Sequence, residues 1–159
     1  CYSLFYLRFI QNSPIKETQS YLSLSQTQSW KTWTGYAFEN ICLLHISNIK
    51  ASLGIAGVQT SQYSFFAKAS DENEGTQIDL LIDRHDNVIN LCEIKFYNEE
   101  MILTKVDAEN IRKKKSIFKF ITKTKKQVFI TMITSFGMQR NKNTIGLIDN
   151  ILTADALFT

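Results

Sequence analysis

The stretch Gln77-Ile78-Asp79-Leu80-Leu81-Ile82-Asp83-Arg84-His85-Asp86-Asn87-Val88-Ile89-Asn90-Leu91-Cys92-Glu93-Ile94-Lys95-Phe96 decides how this chain is read. Residues 77–83 and 88–96 are rich in aliphatic side chains and 84–87 are turn formers, which predicts two strands and a hairpin. In the second strand one face carries Ile89, Leu91, Glu93 and Lys95, and the other Val88, Asn90, Cys92, Ile94 and Phe96. Both faces are mostly apolar, as expected of a central strand covered on both sides. A turn centred on Asp86 sets Leu81 opposite Leu91, Asp79 opposite Glu93 and Gln77 opposite Lys95, with the two acids on one side of the sheet.

Two carboxylates that face each other repel, and charges at the end of a covered strand are costly without partners. A divalent cation resolves the conflict, and hard oxygen ligands suit Mg²⁺ or Mn²⁺. The expected ligands are Asp79, Glu93 and the backbone carbonyl of Ile94, with Lys95 as a fixed positive charge beside them. The competing reading, a cross-strand ion-pair cluster on an exposed face, fits poorly with the apolar neighbours on both faces.

Outward from the hairpin, residues 34–49 read as a helix with Thr34 as N-cap. Phe38, Ile41, Cys42, His45 and Ile49 form one apolar row, and Glu39, Leu43 and Ile46 a second, partly apolar one. A helix apolar on two rows is largely buried, so Glu39 is expected in a poorly solvated place, reaching toward the hairpin acids. A second short helix over 48–53 ends at Gly54. Residues 57–66 and 127–134 read as further strands, 70–75 as a polar loop and 147–152 as a short last strand. Residues 104–121 read as a helix carrying Val106, Ile111, Phe118 and Ile121. A strand, helix, strand order returns the later strand beside the earlier ones by a right-handed crossover. The expectation is an α/β fold with a mixed sheet and helices on both faces.

Composition bounds the rest. The chain has 159 residues, 44% of them hydrophobic and 21% charged, with a formal net charge of +3. That suits one domain with a real core, and the charge permits a nucleic-acid partner without arguing for one. Cys1, Cys42 and Cys92 are too widely spaced for a disulfide framework or a zinc motif, so a reducing, cytoplasmic setting is expected. No apolar run reaches the ~18 residues of a membrane span. No Walker A pattern is present, so no ATP site of that kind is expected in this fragment. The absent initiator Met predicts a piece of a longer protein. Residues 1–29 read as the tail of an upstream region plus a Gln/Ser/Thr-rich linker over 17–29, and residues 30–159 as the globular domain.

Asp79, thirteen residues, then Glu93-Ile94-Lys95 resembles the PD-(D/E)XK nuclease pattern, with Glu39 matching its helix-borne acid. Ile78 stands where the pattern names Pro. More closely, Trp33-Thr34-Gly35-Tyr36-Ala37-Phe38-Glu39, Gln77-Ile78-Asp79-Leu80-Leu81-Ile82-Asp83-Arg84 and Cys92-Glu93-Ile94-Lys95-Phe96 resemble the C-terminal domain of bacterial and archaeal AAA-type ATPases. The resemblance implies a restriction-endonuclease-like core of order αβββαβ and Mg²⁺- or Mn²⁺-dependent cleavage of DNA. It also implies an upstream P-loop ATPase and a winged helix, whose end Ser3-Leu4-Phe5-Tyr6-Leu7-Arg8-Phe9-Ile10 would be. Catalysis would fall to Asp79, Glu93, Lys95 and Glu39. Arg112, Lys113, Lys114 and Lys115, with Gln77, are candidate nucleic-acid contacts; a solvated helix face is the other reading of that basic run. A catalytically silent nuclease-fold module for DNA binding or protein contact is the alternative function.

Overall fold

A computed structural model describes residues 25–69 and 75–158 of the chain. The expectations for residues 1–24, and for most of the 70–75 loop, lie outside the described residues. Two helices come first, α1 (Gln28–Leu44) and α2 (Ile46–Ser52). Strands β1 (Thr60–Ala67), β2 (Thr76–Arg84) and β3 (Val88–Lys95) follow, then a two-residue strand β4 (Met101–Ile102). Helix α3 (Lys105–Thr122) leads to β5 (Gln127–Thr134), β6 (Met138–Gln139), β7 (Asn150–Thr153) and a 3₁₀ turn over Ala154–Leu157.

The main sheet is mixed and has the order β1-β2-β3-β5-β7. β1–β2 and β2–β3 pair antiparallel, while β3–β5 and β5–β7 pair parallel. β4 and β6 form a separate parallel ribbon. The hairpin register is the expected one: Leu81 pairs with Leu91, and Asp83 with Ile89. Its tight connection is possible because Asn87 adopts φ 64°, a left-handed conformation that Asn tolerates better than most residues.

β3 divides the interior into two cores. Ile89 and Leu91 pack with Leu81, Ile111, Phe118, Ile130 and Met132 on the α3 side. Cys92 and Ile94 pack with Phe38, Cys42, Ile49, Leu80, Ile82 and Leu157 on the α1–α2 side. The helices thus cover both faces of the sheet, because the apolar residues of β3 alternate between them. The edge-to-face pair of Phe65 on Phe118, ring centroids 5.2 Å apart, ties β1 to α3.

Three expectations are corrected. α1 starts at Gln28, six residues before Thr34, because the Thr27 hydroxyl accepts the Trp30 N–H and makes the N-cap there. The residues 28 and 29 assigned to the linker are therefore helical, and Thr34 lies inside the helix, donating its hydroxyl to the Trp30 and Lys31 carbonyls. Next, the helix does not run to residue 49. It breaks at His45 (φ −111°), whose carbonyl accepts the N–H groups of Asn48 and Ile49 and so starts α2. Last, not every apolar position at helical spacing is buried. Ile41, Leu43, Val106 and Ile121 are exposed, because one sheet can cover only one stripe of each helix.

Candidate metal and phosphate site

β2 carries an irregularity where the chemistry is expected. Tyr63 of β1 pairs with Leu81 and Phe65 with Ile78, so β2 spends three residue steps where β1 spends two. This is a β-bulge at Asp79–Leu80, a feature common beside active sites because it re-aims a side chain. It explains why Ile78 and Leu81 share one core although they are an odd number of residues apart. It also ends the β2–β3 ladder at Leu80–Cys92. Asp79 and Glu93, and Gln77 and Lys95, are therefore not paired rungs as the regular register predicts. Instead the Asp79 carboxylate accepts the Ile94 N–H at 3.3 Å and takes the place of the missing rung. The contact of Ile94 with Asp79 is thus made by its amide. Gln77 pairs with Phe66 of β1 and is exposed.

Glu93 is the most enclosed member of the site, only 2% exposed. Its Oε1 accepts a charge-assisted hydrogen bond from Lys114 Nζ at 2.6 Å, and Lys95 Nζ stands 4.0 Å from its Oε2. Burial pushes the Glu93 carboxyl above the usual carboxylate range, against the pull of Lys114; Asp79 adds repulsion. Glu39 is half-buried on α1, next to Phe38, whose ring packs edge-on against Phe96 at 5.9 Å. Its carboxyl is also raised, by burial first and then by Asp79 and Glu93, with Lys95 and Lys114 opposing. Asp79, Glu93, Lys95, Glu39 and Lys114 thus share one electrostatic neighbourhood, drawn from β2, β3, α1 and α3.

The basic run of α3 splits around the helix. Arg112 and Lys113 are exposed and Lys115 is half-buried. Lys114 turns inward and forms an ion pair with Glu93. A cleft of about 160 Å³ lies over the pair, lined by Glu93, Lys95, Tyr97, Asp107, Asn110 and Lys114 among others. The backbone of Tyr97 is pinned at both ends: its N–H donates to Ser135 Oγ at 2.9 Å, and its carbonyl accepts from the same hydroxyl. Lys114 was named as a candidate phosphate contact but not as the partner of Glu93, and Asn110 and Tyr97 were missed as lining residues. The signal was available for α3, since Asp107, Asn110, Ile111 and Lys114 recur at steps of three and four and Ile111 marks the buried stripe. Asp83, near the end of β2, accepts from Lys126 Nζ at 2.6 Å.

The donors fit a hard divalent cation in kind: three carboxylates, two of them raised by burial and mutual repulsion, form a neighbourhood that added positive charge would relax. They are not gathered into a ligand sphere. Among the described residues no three His, Cys, Asp or Glu side chains converge as a group able to hold one metal ion. Also among the described residues, no helix is long and apolar enough to cross a membrane. Comparison with known proteins finds no matching family model, no matching curated protein and no matching solved structure.

Proposed function

We propose that this chain is a PD-(D/E)XK-type domain that hydrolyses phosphodiester bonds in DNA with Mg²⁺ or Mn²⁺, as the C-terminal part of an AAA-type ATPase with a winged helix upstream. The observation that carries the reading is the shared neighbourhood of Asp79, Glu93, Lys95 and Glu39 beside a bulge in β2. The mixed sheet with helices on both faces, entered from a helix and three antiparallel strands, supports the restriction-endonuclease-like core. Asp79, Glu93 and Glu39, with the Ile94 carbonyl, would be the residues to hold the cation, which would supply Lewis-acid chemistry to a phosphate and to water. Lys95, with its side chain 47% exposed, can reach a phosphate oxygen and offset the charge that grows there in the transition state.

The test is Mn²⁺ titration by calorimetry on wild type and Asp79→Ala, with plasmid nicking followed on the same samples. Binding and nicking that both vanish in the variant support the proposal. No heat of binding from wild type at millimolar Mn²⁺ overturns it.

A second reading, a nuclease-fold module that binds DNA or protein without cutting, is favoured by the Lys114–Glu93 ion pair, which satisfies Glu93 without a metal. It predicts Mn²⁺-independent DNA binding that weakens steeply with salt.

A further inference from the structure

α1 and the segment that follows β3 meet in a second cleft, of about 320 Å³, which has no part in the site around Glu93. Its volume suits a small planar ligand. Trp30 and Thr34 come from α1, and Phe96 and Tyr97 from the chain just after Lys95. Aromatic side chains supply stacking surfaces, and these three are braced. Trp30 leans on Trp33 with ring centroids 5.7 Å apart, and Phe96 meets Phe38 edge-on at 5.9 Å. The main chain of Tyr97 is held by the Ser135 hydroxyl. Braced rings lose little freedom when a ligand stacks on them. The polar lining suits a nucleotide: Lys31 offers a cation for a phosphate, and Asn98 and Glu99 offer a donor and acceptors for the edge of a base.

The position of the cleft selects among planar ligands. Tyr97 lines this cleft and also the one over Glu93, where Lys95 and Lys114 stand. An aromatic slot and a pocket with two cations thus share a wall, as a base and a phosphate share one strand. We propose that the aromatic cleft holds one unstacked base of a single DNA strand whose neighbouring phosphate lies on Lys95. A base inside a duplex is paired and stacked, and must be extruded before it can enter. A single strand or a frayed end does not carry that cost. The proposal rests on the reading of DNA as the partner and needs no metal.

The full chain is titrated, with EDTA present, into a fluorescently labelled single-stranded oligonucleotide and into the blunt duplex of the same sequence, and anisotropy is followed. Wild type is expected to hold the single strand about tenfold tighter than the duplex, the worth of one stacked base. Trp30→Ala should lose about that factor for the single strand and leave duplex binding unchanged. Trp30→Phe keeps a ring and should recover most of the loss. Tyr97→Ala carries the test where Trp30→Ala does not fold, because the bonds to Ser135 are made by its main chain. Tyr36→Ala removes an exposed ring of α1 outside the cleft and stays within about twofold. Equal single-strand binding by wild type, Trp30→Ala and Tyr97→Ala overturns the inference and leaves the DNA reading standing. A wild-type preference for the duplex, or an equal loss in Tyr36→Ala, overturns it as well. So does dAMP that binds as tightly as the strand, since the cleft would then belong to a free nucleotide. Silence from both probes sinks the DNA reading and the inference together.

Discussion

Glu39 and Glu93 are carboxyls whose charged form costs more in the fold than in water. Burial raises both, and Asp79 adds to each shift. The folded chain therefore binds protons that the unfolded chain has released, and stability falls as pH rises above about 4.5 through the raised values. Glu39→Gln is expected to flatten that slope in thermal melts taken across a pH series. At neutral pH it should also raise Tm by roughly 1–3 °C, a modest gain because Glu39 keeps contact with solvent. Loss of Tm at neutral pH would mean that Glu39 has a compensating partner. Glu93 and Lys95 were legible at this scale, because alternation along an apolar strand leaves charged residues conspicuous. The partner of Glu93 was not. Four consecutive basic residues look alike in sequence, and only the phase of α3 against the sheet separates Lys114 from its neighbours.

Elements decide where those side chains meet. α3 begins at a full capping box, with Thr104 Oγ1 accepting the Asp107 N–H at 3.2 Å and the Asp107 carboxylate accepting the Thr104 N–H at 3.1 Å. Thr104→Ala should cost about 1 kcal/mol, read as a lower urea midpoint with unchanged slope. An unchanged midpoint would show that tertiary packing alone sets the start of this helix. Thr104 was readable as a helix boundary because the apolar pattern begins just after it. Thr34 misled for the converse reason. It is a good cap residue in front of an apolar row, yet Thr27 offers the same chemistry about two turns earlier, and a helix once nucleated propagates through Thr34. The hairpin register was readable from the match of Leu81 with Leu91, but regular alternation cannot foresee an inserted residue. The bulge at Asp79–Leu80 cancels the direct Asp79–Glu93 opposition that the register implies and replaces it with the bond from Ile94 N–H to Asp79.

The molecule as a whole is two cores sharing one sheet, and β3 belongs to both. Phe118 is 1% exposed and packs against Phe65, so Phe118→Ala should lower unfolding free energy by about 3–5 kcal/mol in urea titrations. Because Leu91 and Cys92 point into opposite cores from adjacent positions, loss of one core should carry the other with it. Tryptophan fluorescence reports the α1 side through Trp30 and Trp33, and far-ultraviolet dichroism reports the whole. The two transitions should coincide in that variant; separate midpoints would mean that the cores unfold independently. The extra residue in β2 reaches past the site as well. β1 is the outermost strand on its side of the sheet among the described residues, and its free edge is a template on which another chain could add a strand. A bulge bends its strand and sharpens the local twist, and β1 must follow because it is hydrogen-bonded across the irregularity. The irregularity beside Asp79 therefore bears on the rim as well, since a bent, twisted edge is a poorer template for an added strand than a straight one.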